Sequence, residues 1–274
     1  PEIAEPTKIV FNISLDEADA NIGVTKKFLK NTKKFIERNA INHITFITAT
    51  AIPRLWDALQ KCGIHKLLNM NYFSTSDFTQ DYEDYRAFKD HEFKENSNDT
   101  QNPLNYIMGV FPSIQARDNL RKIIFAPAHL YTNTIGVGSH EEVMNFFKSH
   151  NYTVLVMNGK KKTFVNPNGT EIDIVDYNQA NNIDGELRDT LRVWYEKNPI
   201  SNLAITGNTV IERGVTFNTD GFNFTDIILS NYHKLSVGKL VQISGRATGG
   251  KKFVNKMFVH CTKSIKDLIN NENE

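Results

Sequence analysis

Short apolar runs alternate with amphipathic stretches along the chain, and that alternation predicts strands followed by covering helices. The first run, Lys8-Ile9-Val10-Phe11-Asn12-Ile13-Ser14-Leu15, ends at Asp16-Glu17-Ala18-Asp19. From Val24 to Asn39, apolar Val24, Phe28, Phe35 and Ile36 stand among six basic residues, which predicts a surface helix. His43-Ile44-Thr45-Phe46-Ile47 is β-rich and stops at Thr48-Ala49-Thr50. Pro53 then opens a helix through Trp56 and Leu59 that Gly63 closes, so two strand–helix units fill residues 8–63.

The texture changes over residues 72–102, where Asp, Glu, Asn, Ser and Tyr are frequent and no period persists, and helical character returns around Ile107, Met108 and Val110. The segment 71–121 is expected to be a linker or insertion with one or two helices. From Arg121 the alternation restarts with a strand at Lys122-Ile123-Ile124-Phe125-Ala126. Ser139 has the spacing of an N-cap, with Glu142 three residues on as its capping-box partner, for a helix through Phe147. Tyr152–Met157 is the next strand, and Asn166-Pro167-Asn168-Gly169 marks a turn inside a hairpin over 158–176. A helix over about Asp184–Glu196, strands at Asn202–Thr206 and Asp226–Leu229, a helix near Gly238–Ala247 and a last strand at Met257–His260 complete the pattern. It describes an α/β chain of parallel sheets with helices on both faces, arranged as residues 1–70, the 71–121 connector, and 122–274.

Composition narrows the function classes. The 274 residues carry 32 Lys+Arg against 31 Asp+Glu, a formal net charge of +1, so any nucleic-acid contact uses local patches rather than a global field. Cys62 and Cys261 are too few for a zinc ribbon and too scattered for a disulfide framework, which points to thiols in a reducing, cytoplasmic compartment. No apolar run approaches the ~18 residues that would span a bilayer, and Pro1-Glu2-Ile3-Ala4 has no signal-peptide pattern. His129, His140 and His260 lack metal-ligand spacing, and Trp56 and Trp194 sit at helical spacing with Leu59 and Leu191, as core residues do.

Chemistry concentrates where strands end. In open α/β sheets ligands bind at the carboxyl ends of the strands. An Asp beside a Glu there suits nucleotide hydrolysis, the first binding Mg²⁺ and the second polarising water. Asp16-Glu17-Ala18-Asp19 resembles motif II of the superfamily two helicases, and Thr48-Ala49-Thr50, at the end of the next strand, resembles motif III. Asn208-Thr209-Val210-Ile211-Glu212-Arg213-Gly214-Val215-Thr216-Phe217 resembles motif V, and Gln242-Ile243-Ser244-Gly245-Arg246-Ala247-Thr248-Gly249 resembles motif VI in its Gln-x-x-Gly-Arg form. The four stand in the family's order and cover nearly the whole chain outside 71–121.

The resemblance implies tandem RecA-like domains, the first truncated at its N-terminus, with ATP and Mg²⁺ in the cleft between them and nucleic acid across both. Asp16 would hold Mg²⁺, Glu17 would be the catalytic carboxylate, and Asp19, Thr48, Thr50, Gly214 and Gly245 would serve the nucleotide site. Arg246 would act as an arginine finger, and Gln242, one turn earlier, would share its face. Thr206, Asn208 and Arg213 would meet the nucleic-acid backbone. Gly249 stands where the family usually has a second Arg, Thr216 where many members have Asp, and Gln242 where the DEAD-box RNA helicases have His. Gly249 removes one γ-phosphate contact of the family. Gly207-Asn208 followed by Arg213-Gly214-Val215-Thr216 resembles phage, viral and restriction-associated branches, which with Gln242 points away from the DEAD-box RNA helicases. The resemblance implies DNA over RNA and a larger complex of viral or restriction type.

A phosphate-binding loop of the form Gly-x₄-Gly-Lys-Ser/Thr is expected before Pro1. Gly245 to Lys251 matches its first part, but Lys252 replaces the hydroxyl that would reach Mg²⁺, and the residues after it have the pattern of a strand rather than a helix. Two other possibilities remain: a non-catalytic scaffold on a degenerate helicase lobe, and a translocase subunit that hydrolyses ATP without unwinding.

Overall fold

The computed structural model describes residues 11–16, 22–38, 41–47, 60–63, 91–117, 121–128, 136, 138–159, 162–207, 217, 221–231, 240, 243 and 257–271. The chain divides into two compact units, Pro1–Asp77 and Phe78–Glu274. In the first, β1 (Phe11–Asp16) and β2 (Ile41–Ile47) pair in parallel, joined through α1 (Ile22–Glu37). A parallel pair needs such a crossover, since a tight turn would reverse the chain. Leu29 is fully buried and Thr25 nearly so, which fixes the inward face of α1.

The second unit holds an eight-stranded, mostly parallel sheet flanked by helices. Its strands are β3 (His91–Asn96), β4 (Ile123–Phe125), β5 (Tyr152–Met157), β6 (Lys162–Val165), β7 (Glu171–Asp173), β8 (Asn202–Gly207), β9 (Asp226–Ile228) and β10 (Met257–Thr262). They lie in the order β3-β10-β9-β4-β8-β5-β6-β7. The first six are parallel, and β6 and β7 continue the sheet antiparallel. The hairpin expected over 158–176 explains that reversal. Gly169 takes φ +88°, its N–H donates to the Asn166 carbonyl at 2.8 Å, and the Thr170 N–H donates to Asn168 Oδ1 at 2.9 Å.

The apolar runs are buried on both faces, so alternate residues feed two cores. Ile123, Phe125, Leu155, Met157, Leu203 and Ile205 face one core; Ile124, Tyr152, Val154, Val156 and Ala204 face the other. Over the second core lie α2 (Pro103–Ala116), through Tyr106, Ile107, Val110, Phe111 and Ile114, and α3 (His140–Ser149), through Val143 and Phe147. Over the first lie α4 (Ile174–Ala180), α5 (Leu187–Lys197) and α6 (Lys263–Asn271). Trp194 of α5 stacks on Phe164, its ring centroid 6.0 Å away and the planes 13° apart, so it is a core residue as its spacing indicates. Trp56 lies outside the described residues.

Residues 91–116, within the segment expected to connect two domains, supply β3 and α2 to this unit. The β3 sequence His-Glu-Phe-Lys-Glu-Asn is that of a charged edge strand, which protects an exposed ladder from pairing with other chains. From its end, Asn and Thr side chains carry the turn into α2. Asn96 Oδ1 accepts from Asn98 N–H, Asn98 Oδ1 from Thr100 N–H, Thr100 Oγ1 from Asn102 N–H, and Asn102 Oδ1 from Asn105 N–H, each at 3.1–3.2 Å. The last bond is the N-cap of α2, with Pro103 at its first position.

Candidate functional site

In the first unit the register is the informative quantity. Asp16, the last residue of β1, pairs with Ile47, the last residue of β2. Neighbouring strands lie about 4.8 Å apart, so β1 and β2 end side by side at the carboxyl edge of the pair, and Glu17 and Thr48 are the next residues in sequence. Asp16 is described as to its backbone; Glu17, Asp19, Thr48 and Thr50 lie outside the described residues. A strand-end carboxylate supplies the hard oxygen donor that Mg²⁺ takes, and Mg²⁺ sites use one or two carboxylates with waters. That donor chemistry fits Asp16. Among the described residues no group of three His, Cys, Asp or Glu is placed to hold a metal ion.

In the second unit the parallel strands end along one edge, and Asn208, the first residue of the segment resembling motif V, follows the end of β8 in sequence. Thr206, its penultimate residue, is fully buried, and its Oγ1 has no hydrogen-bond partner among the described residues. Alternation along β8 turns this side chain to the α3 face. Asn208, Arg213, Gly214, Gln242, Gly245 and Arg246 lie outside the described residues, although Leu240 and Ile243, flanking Gln242, are both fully buried in the first core.

Other polar groups line the same edge. Asn158, after β5, meets His140 Nε2 at 3.2 Å, and Thr262 Oγ1 donates to Asn231 Oδ1 at 3.0 Å while Asn231 Nδ2 donates to the Asp99 carbonyl at 2.7 Å. The capping box read from Ser139 and Glu142 is present. Glu142 also accepts from the N–H groups of Gly136 at 2.6 Å, Gly138 at 2.9 Å and Ser139 at 2.9 Å. Hydrogen bonds from the backbone of Ser139, Gly136 and Gly138 hold its carboxyl below the usual glutamate range. Gly138 has φ +78°, and a Cβ there would stand 2.5 Å from Asn102 Oδ1 and 2.9 Å from Leu104 N, so only glycine fits between the starts of α2 and α3.

Among the described residues of the second unit, a tightly bound charge lies at the opposite end of the strands. Asp226, the first residue of β9, is fully buried and accepts from Arg117 through both carboxylate oxygens, at 2.8 and 2.7 Å. His260 Nε2 lies 2.7 Å from Asp226 Oδ1, and Thr225 Oγ1 donates to Oδ2 at 2.7 Å. Burial pushes the Asp226 pKa up; the bonds from His260 and Arg117 outweigh it and hold the carboxyl below the usual range. Sequence reasoning did not single out this cluster. Its signal was an Asp and a His inside apolar strands, which demand partners once buried. Cys261, beside His260, is buried and free, and burial raises its thiol to about 12; Cys62 is half-buried and free.

No family model matches the chain, and no curated protein matches it. Among solved structures it is similar to the DUF1998 helicase MrfA bound to DNA and AMPPNP, at 12% identity and TM-score 0.43, over 96% of this chain and 32% of that one. It is also similar to S. cerevisiae Dbp5 bound to RNA and ADP BeF3, at 18% identity and TM-score 0.44, over 96% of this chain and 56% of that one. The chain thus spans about a third of one and just over half of the other. Likeness at this level carries no functional argument; a function for this chain has to stand on its own residues.

Proposed function

We propose that the chain is part of an ATP-dependent nucleic-acid helicase or translocase built from tandem RecA-like domains. One observation carries the reading: Asp16 and Ile47 end adjacent parallel strands in register, so the strands that lead in sequence into the segments resembling motifs II and III end together at a carboxyl edge. In this reading Asp16 holds Mg²⁺, Glu17 polarises the attacking water, and Thr48 and Thr50 sense the nucleotide. Arg246, with Gln242 one turn before it, stabilises the γ-phosphate charge; such a residue is worth about 10³-fold or more in rate. Residues 1–70 belong to the first RecA-like domain and 122–274 to the second, and Asn208 and Arg213 contact the nucleic-acid backbone. DNA is favoured over RNA, in a cytoplasmic complex of viral or restriction type. Bound Mg²⁺ would supply charge neutralisation at the phosphates.

The test is phosphate release from Mg²⁺-ATP by the full-length protein, with and without single-stranded DNA. Stimulation by DNA is expected. A protein that binds DNA but releases no phosphate overturns the enzyme reading and leaves the scaffold, for which Gly249 in place of a second motif VI Arg is the favouring observation.

A further inference from the structure

The lysines of α1 have no part in ATP chemistry, yet they hold the densest charge in the chain. Residues 21–38 contain Lys26, Lys27, Lys30, Lys33, Lys34 and Arg38 against the single acid Glu37, a net +5 in a chain whose total is +1. This is segregation, since the remainder is net acidic. Lys27, Lys30, Lys34 and Arg38 are exposed, and their spacing aligns them in a stripe about 16 Å long. Among the described residues the ion pair of this helix is Lys33 with Glu37, at 3.9 Å and exposed.

That arrangement opposes the helix that carries it. Lys26 with Lys30 and Lys30 with Lys34 are like charges at i,i+4. The first turn holds no acid to complement the helix dipole. A helix held by its buried Leu29 face and strained by its outer face is relieved by a polyanion. Two apolar side chains border the stripe, Val24 at 61% exposed and Phe35 at 51%. An aromatic ring beside cations offers a nucleic-acid strand a surface to stack on. A lipid surface is the weaker fit, because amphipathic helices insert their apolar face into the membrane, and here Leu29 and Thr25 on the inward face are buried in the protein.

We propose that the outer face of α1 is a docking surface for the phosphate backbone of a nucleic acid, separate from the strand-end segments. The inference rests on the nucleic-acid reading of the chain and extends it to a second contact. Lys27, Lys30 and Lys34 supply phosphate contacts and Phe35 a stacking surface, so the contact is independent of base sequence and sensitive to salt.

The experiment is fluorescence anisotropy of labelled single-stranded and duplex oligonucleotides over a salt series. It compares the full-length protein with the Lys27→Gln/Lys30→Gln/Lys34→Gln variant and with the corresponding triple Lys→Arg variant. Gln and Lys have similar helix propensity, so the helix survives. The Gln variant is expected to lower the log–log salt slope by about 2–3 on at least one oligonucleotide and to weaken binding on the order of 10-fold or more at low salt. The Arg variant retains both. Unchanged slope and affinity on both oligonucleotides overturn the inference while leaving the proposed function standing. Loss of binding to phosphatidylserine vesicles alone overturns it in favour of a membrane surface. If the unsubstituted protein binds no oligonucleotide, both this inference and the nucleic-acid reading fall.

Discussion

Two aspartates stand at opposite ends of parallel strands, and the difference between their surroundings separates chemistry from architecture. Asp16 closes β1 at the carboxyl edge of the first unit, where the chain leaves the sheet beside the end of β2. Asp226 opens β9 in the second unit, fully buried, with both oxygens taken by Arg117, His260 and Thr225. A carboxylate with its lone pairs already occupied has nothing left for a metal or a water. One placed at a strand's carboxyl end stands where open α/β sheets bind their ligands. Strand position, more than the residue itself, decides which aspartate is read as functional.

The contrast breaks most readily through turnover. Asp16→Asn removes the proposed metal ligand and is expected to cost several kcal/mol of barrier, about 10²-fold or more in ATP turnover, with little change in unfolding midpoint. Steady-state phosphate release and thermal melting, read together, check this; a large loss of stability with turnover intact would reverse the roles assigned to the two aspartates. Asp226→Ala should do the converse. It leaves Arg117 facing a buried gap, at a cost of about 3–5 kcal/mol in denaturant unfolding, while the remaining folded protein turns over normally.

Acid should act through Asp226 as well. Its folded pKa is depressed, so its contribution is present above the unfolded value of about 3.9 and is lost as pH falls through the folded value. Unfolding free energy measured downward from pH 5 should therefore fall more steeply in the unsubstituted protein than in Asp226→Ala. The smallest effect belongs to Thr206, whose buried hydroxyl has no partner among the described residues. Thr206→Val should be neutral or stabilising by under ~1 kcal/mol. A clear destabilisation would reveal a partner for that hydroxyl, and weaker oligonucleotide binding would support a nucleic-acid contact there.

Much of the second unit was legible because its strands are buried on both faces. The apolar run Tyr152–Met157 is β5 residue for residue, and Ser139 and Glu142 announced the start of α3 through capping chemistry alone. What escaped has local physical reasons. The β3 strand is charged because it is an edge; α4 follows Asp173 at once, with that residue both ending β7 and capping the helix; and α6 begins directly after Thr262 with no turn residue to mark it. The order of the motif-like segments was readable, but the register that sets Asp16 beside Ile47 was not, because pairing depends on a crossover. The Asp226 cluster was unreadable for a related reason, since Arg117 lies 109 residues away in sequence.

The most direct test of the central claim is a side-by-side measurement of ATP affinity and ATP turnover in full-length protein carrying Glu17→Gln. ATP binding should stay within a few-fold of the unsubstituted protein, and DNA-stimulated phosphate release should fall by about 10²-fold or more, as for loss of a group that positions and polarises the attacking water. Undiminished phosphate release by Glu17→Gln would contradict the assignment.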